Sequence, residues 1–168
     1  GLEISVSLVR ELREQTGAGV MACKEALKEV DGDLDGALEL LRLRGVSIAA
    51  KKSERETKEG IVEAYIHSGG RVGVIVELNC ETDFVARTLE FRDLAHSIAM
   101  QVAAMRPTYV SSEEMPEEDK TSPEETCLLA QTFIKDSTKT IRDLINDIVA
   151  KVGENIRVRR FSCFSLGE

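Results

Sequence analysis

The chain has 168 residues, 42% of them hydrophobic, and carries a formal net charge of −8 at pH 7. That length supports one ordinary core or a small module joined to a larger one, and the apolar share excludes a disordered tail. Aromatic residues make up only 4%, tryptophan is absent and the charge is acidic, which argues for a protein partner and against a direct nucleic-acid one, because phosphates call for a cationic footprint and single strands for stacking surfaces.

No stretch free of charge is long enough to span a bilayer, and the N-terminus shows no signal-peptide apolar region, so no membrane association and a cytosolic setting are expected. The four cysteines, Cys23, Cys80, Cys127 and Cys163, are widely spaced, with no CxxC pair and no nearby histidine to complete a metal set. They read as reduced, mostly buried thiols, and no metal or cofactor is expected.

Residues 1–45 read as three short helices. Ser5 or Ser7 can cap the first, which carries Leu8, Val9 and Leu12 and ends at Gly17. A second buries Cys23, Ala26, Leu27 and Val30, and Asp31-Gly32 breaks it. Asp33 caps a third, with Leu34, Ala37, Leu38 and Leu41 on one face and Gly45 as the expected left-handed stop. Residues 46–59, dense in Lys, Glu and Arg, read as a solvated helical linker.

At Gly60 the period changes to alternation. Val62, Ala64 and Ile66 are expected to share one strand face, with Tyr65 and His67 on the other. Ser68-Gly69-Gly70-Arg71 is a hairpin signal, and the return strand places Val72, Val74, Val76, Leu78 and Cys80 on one face. A helix over about 84–105 follows, with Phe91, Leu94, Ala95, Ile98, Val102 and Met105 inward, until Pro107. Residues 111–126 read as an exposed acidic loop. A second amphipathic helix over about 137–152 shows Ile141, Leu144, Ile145, Ile148 and Val152. The last segment is a strand in which Ile156 and Val158 have the opposite phase to Phe161 and Cys163, which calls for a bulge near Arg159-Arg160. The fold class is α+β, with residues 60–168 as a small antiparallel sheet covered by helices.

Conventional catalytic groupings are missing. His67 and His96 read as surface histidines, Cys80 shares a buried strand face, and Gly69-Gly70 is a turn and not a phosphate loop. Two segments remain. In Thr82-Asp83-Phe84-Val85, Thr82 or Asp83 can cap the next helix. Phe84 falls outside that helix's apolar stripe, so it is either core or a rigid interface anchor. At the glycine-rich corner 16–21, Val20 and Met21 either fold back on the helices or form a flexible hydrophobic contact bordered by Lys24.

At these residues the sequence resembles the elongation factor Ts family. The resemblance is carried by LVRELREQTGAGVMACKEAL at 8–27, by NCETDFVAR at 79–87, and by FIKDSTKTIRDL and VGENIRVRRF towards the end, in the family's order over nearly the whole chain. It implies a ubiquitin-associated-like helical module at 1–45 and an α+β dimerisation and exchange core at 60–168. Its implied partner is the GDP-bound form of elongation factor Tu, the GTPase that carries aminoacyl-tRNA. It also implies that Phe84 is driven into that GTPase as a wedge, supported by Thr82, Asp83 and Val85, to disturb the magnesium and phosphate sites. Val20, Met21 and Lys24 would grip another part of the same domain. Such a factor is not an enzyme in the covalent sense.

The sequence departs from the family pattern at several places. Val20-Met21-Ala22 stands where Met-Met and an acid are frequent, the stretch between the core helices is short, and Phe161-Ser162-Cys163-Phe164 replaces a more basic ending. Larger members carry two core copies where this chain has one. Single-copy members can supply the second half by dimerising, so a homodimer is the expectation that follows, with Cys163 a free thiol rather than a link across the pair. The rival reading is a translation-associated adaptor that binds without driving exchange.

Overall fold

In the computed structural model, which describes residues 3–168, Ser5 opens the first helix by accepting from the Leu8 amide at 3.3 Å. The first two residues of the expected helical module lie outside the described part. Helix α1 (Val6–Thr16) ends on Gly17 in the left-handed region at φ 68°. Helix α2 (Val20–Glu29) buries Cys23, Ala26 and Leu27. Asp33 then caps α3 (Leu34–Lys52) by accepting from the Gly36 amide at 3.2 Å. Leu12, Cys23, Ala26, Leu27 and Ala37 form a small core, with Leu8, Val9, Leu34, Leu38 and Leu41 packed around it.

Helix α3 does not stop at Gly45. It continues to Lys52, so the first seven residues of the expected linker are its last two turns. Gly45 is buried because α3 crosses another helix there: a Cβ on it would lie 3.6 Å from Ala150 Cβ. A methyl there would make only an ordinary contact, so the crossing does not demand glycine; the burial itself comes from a helix that the local sequence does not reveal. Ala49 already packs against the main core.

Strands β1 (Glu59–Ile66) and β2 (Val72–Cys80) form the expected hairpin, and the sheet order is β1-β2-β5, antiparallel throughout, with β5 at Arg157–Ser165. Gly60 is required where β1 meets β2, since its φ is 153° and a Cβ would come within 2.2 Å of the Leu78 carbonyl oxygen. The register slips between Glu77 and Leu78, opposite Arg160 and Val158, which leaves Arg159 as the bulged residue anticipated from the phase change. Val74, Val76, Leu78 and Cys80 are buried as expected.

In β1, Ile61 and Tyr65 pack on the core while Val62 is 68% exposed and Ile66 also faces out. The Val62, Ala64 and Ile66 face is therefore the outer one. Both faces of this strand are apolar, so alternation alone carries no sign.

Helix α4 (Asp83–Ala86) is a single turn, and α5 (Leu89–Met105) starts separately from a Thr88 cap, so the helix expected over 84–105 is two. Helix α5 lies across β1 and β2 with Phe91, Leu94, Ala95, Ile98, Ala99 and Val102 inward, while Met105, at its last turn, is exposed. The acidic stretch is mostly exposed and is gathered by a Tyr109 hydroxyl donating to Asp119 at 2.7 Å. It includes the one-turn α6 (Pro123–Thr126). A small ladder of β3 (Thr132–Phe133) and β4 (Asp136–Thr140) follows. Residues 137–140 are therefore strand, and α7 (Ile141–Val152) begins only at the Thr140–Asp143 capping box. Helix α7 packs beside α5 and receives α3.

Buried Gln101 fastens this layer. Its amide donates to Gln131 at 3.2 Å and to the Thr132 carbonyl at 3.0 Å, and its oxygen accepts from the Ile134 amide at 2.9 Å. No buried side-chain polar atom among the described residues lacks a partner.

Candidate functional site

The turn after β2 is built by two threonines. Thr82 caps α4 by accepting from the Val85 amide at 3.3 Å; Thr88 donates to the Val85 carbonyl at 2.7 Å and caps α5 by accepting from the Phe91 amide at 3.3 Å. One helical turn held at both ends has only two sides. Val85 and Ala86, 5% exposed, take the inner side and join the core. Phe84 takes the outer side and is 77% exposed. Of the two readings open from sequence, core residue or anchor, this position excludes the first.

Asp83 stands beside it, its carboxylate 3.1 Å from Arg87 one turn on, and Asp83, Phe84, Arg87 and Thr88 border a shallow hollow. Leu89, at the start of α5, is exposed next in line. The four residues singled out from sequence thus divide: Phe84 and Asp83 face outward, Val85 seats the turn in the core, and Thr82, itself exposed, is engaged by hydrogen bonds within the chain. The Thr82 hydroxyl donates to Glu154 at 2.7 Å, and the Glu81 and Thr82 amides donate to the same carboxylate. Sequence reasoning missed Glu154 because its partners lie more than 70 residues away.

The N-terminal corner is also set by a threonine. Thr16 donates to the Leu12 carbonyl at 2.7 Å and accepts from the Ala18 amide at 3.2 Å, turning the chain into α2. Val20 and Met21 are the first two residues of that helix; Met21 is 65% exposed, and Lys24, also exposed, lies one turn beyond Val20. Cys23, between them, is turned into the small core. Lys151 of α7 lies against Gly17 and pairs with Glu90 at 3.3 Å, joining this corner to the core.

Burial pushes the Cys80 thiol up to about 11, with the Glu154 carboxylate adding to the effect, and the thiol donates to the Thr82 carbonyl at 3.1 Å. A thiol held in that state is a poor nucleophile. His67 accepts or donates at Tyr65 Oη, 3.0 Å away, and His96 lies edge-on to the same ring, 3.9 Å from Glu63. A cleft of about 320 Å³ between α5 and α7 is lined by groups such as Glu90, Leu94, Phe133 and Lys151, with no histidine or cysteine. Among the described residues, no group of three or more His, Cys, Asp and Glu side chains is placed to hold a metal ion, and no helix is long and apolar enough to cross a membrane.

Fold and site together define an α+β protein that presents an aromatic side chain on a braced turn and an apolar corner on a helical module. The family model for elongation factor TS matches residues 39–122. Elongation factor Ts of Thermotoga neapolitana is 48% identical over a 195-residue alignment that covers 99% of each chain. That of Thermotoga maritima is also 48% identical, covering 99% of this chain and 98% of its own. The Desulforamulus reducens protein is 50% identical, with 99% and 90% covered. These alignments are longer than the 168 residues of the chain, so the relatives carry residues that this chain lacks. The chain belongs to the elongation factor Ts family, and with it to the factors of translation elongation.

Proposed function

We propose that the chain promotes GDP release from elongation factor Tu in the cytoplasm, by seating Phe84 in the GTPase domain and disturbing the groups that hold magnesium and phosphate. The observation that carries this reading is a 77% exposed phenylalanine on a turn held at both ends. An apolar ring in water is costly unless a partner covers it, and a rigid mount lets the covering force act on the partner instead of relaxing the turn.

The action is coupling, with no covalent step. A factor that binds best to the form holding nucleotide poorly weakens GDP by the same free energy by which GDP weakens the factor. A loss of nucleotide affinity on the order of 10⁴-fold corresponds to about 5.5 kcal/mol of differential binding. One aromatic anchor contributes roughly 2–4 kcal/mol, so Phe84 needs help. Val20, Met21 and Lys24 supply it in this reading, from a ubiquitin-associated-like module at 1–45. Residues 46–59 are the connection, of which the first part is continuous with α3, and 60–168 form the exchange core.

Stopped-flow release of fluorescent GDP from elongation factor Tu tests the proposal. Phe84→Ala is expected to slow stimulated release by tenfold or more, on the order of one lost anchor, with the melting temperature unchanged. Equal stimulation by the variant rejects the wedge. The adaptor alternative predicts instead that residues 1–45 alone bind the partner as tightly as the full chain.

A homodimer is a second part of the proposal, favoured by the outer sheet face. Val62, Ile66, Ile75 and Phe164 are all exposed there, Phe164 at 73%, and a second copy of the same face is a fitting cover for so apolar a surface. Light scattering over a dilution series checks it; a monomer at all concentrations rejects it.

A further inference from the structure

Three segments distant in the chain meet behind the Phe84 turn, and polar groups join them. Glu154 follows Gly153, the C-cap of α7. Its carboxylate accepts from the Glu81 amide at 3.2 Å, the Thr82 amide at 3.0 Å and the Thr82 hydroxyl at 2.7 Å. Glu81 answers in the other direction: its side chain accepts from the Asn155 amide at 2.6 Å and pairs with Arg55 Nε at 3.3 Å. The buried Asn155 side chain donates to the Ser53 carbonyl at 3.3 Å and the Arg55 carbonyl at 2.8 Å, just past the end of α3.

Capping α4 does not require this cluster, because Thr82 already serves the Val85 amide. What Glu154 adds is a charge-assisted grip on the backbone two residues before Phe84, and such bonds are about twice as strong as neutral ones. What Asn155 adds is a hold on the segment leaving α3, the helix that carries the N-terminal module. The two residues are consecutive, so the turn and the module are referred to one point.

We infer that Glu154 and Asn155 are positioning residues for the exchange reaction: Glu154 fixes the angle at which Phe84 meets the GTPase, and Asn155 fixes where the module with Val20 and Met21 stands relative to it. The inference rests on the wedge reading above.

The two roles predict different kinetic signatures when stimulated GDP release is measured with the full chain over a range of factor concentrations. Glu154→Ala lowers the maximal rate by about tenfold or more, in line with loss of a charged hydrogen-bond cluster, and leaves the half-saturating concentration within about twofold. Asn155→Ala raises the half-saturating concentration several-fold and leaves the maximal rate in place. Glu154→Gln, which keeps a carbonyl acceptor for the turn, recovers part of the maximal rate. In a Phe84→Ala background, Glu154→Ala adds nothing further.

If both alanine variants move the same parameter by the same factor, in step with a fall in melting temperature, plain destabilisation explains them and the inference is overturned. Additivity of Glu154→Ala with Phe84→Ala overturns it too. Should either alanine variant fail to fold, Glu154→Gln and Asn155→Ser carry the same comparison. If Phe84→Ala slows release and Glu154→Ala does not, the wedge stands and the positioning role alone is lost. If Phe84→Ala itself has no effect, both fall together.

Discussion

The N-terminal helices and the α+β core follow the same packing rules at different scales. Among the described residues, five side chains, none aromatic, form the buried centre of the first, whereas the second centres on twenty, including Phe91 and Phe133. Each region exposes apolar side chains: Val20 and Met21 on the small one, Phe84 on the large one. A surface mounted on a small core can adjust to what it touches, because little packing resists a shift. A ring on a turn clasped by a large core keeps its aim. A binding grip suits the first and a forcing element the second.

The largest expected effect lies in the core. Phe91→Ala empties a fully buried site between α5 and the sheet and should cost about 3–5 kcal/mol, read as a lower denaturant midpoint for the whole core. Leu27→Ala should cost less, about 2–4 kcal/mol, and act locally: hydrogen exchange should quicken in α1 and α2 while β2 and α5 stay protected. Uniform loss of protection would erase the contrast between the two regions.

Gly45→Ala sharpens the boundary between them. The added methyl meets Ala150 at 3.6 Å, an ordinary contact, and a helix interior prefers alanine by about 1 kcal/mol. The variant should therefore melt slightly higher. A left-handed stop at this position, as the sequence suggests, would make the same change destabilising.

The smallest effect is electrostatic. Hydrogen bonding from Asn79, then from Arg160, together with the charges of Arg160 and the nearby Arg159, holds the Glu77 carboxyl below the usual carboxylate range. A lowered folded value means stability that is present above the ordinary glutamate range and lost as pH falls through the folded value. Wild type should exceed Glu77→Gln by less than about 1 kcal/mol at neutral pH, and the gap in thermal melts should close under acid.

The helices with one apolar stripe, the Ser68–Arg71 hairpin, the Asp33 cap and the Arg159 bulge were legible because each depends on nearby residues. The burial of Gly45 was not, since it comes from Ala150 on another helix. The sign of β1 was not, because Ile61 and Tyr65 compete with Val62 and Ile66 on equal terms. Residues 137–140 looked helical until pairing with β3 claimed them. At the candidate site, Phe84 stood out as an aromatic outside its stripe, and its exposure agrees. Glu154 and Asn155 gave no local signal: an acid and an amide after a helix-ending glycine look like surface residues until Thr82 and Arg55 are seen against them.

Cys163 stands opposite Val74 in the ladder and Phe164 opposite Gly73, so neighbouring residues of one strand look to opposite sides. The sulfur belongs to the interior side, together with Val74, and the ring to the outer one. An association built on that outer side would therefore not place two Cys163 sulfurs against each other: dilution is expected to undo it, and dithiothreitol to leave it alone.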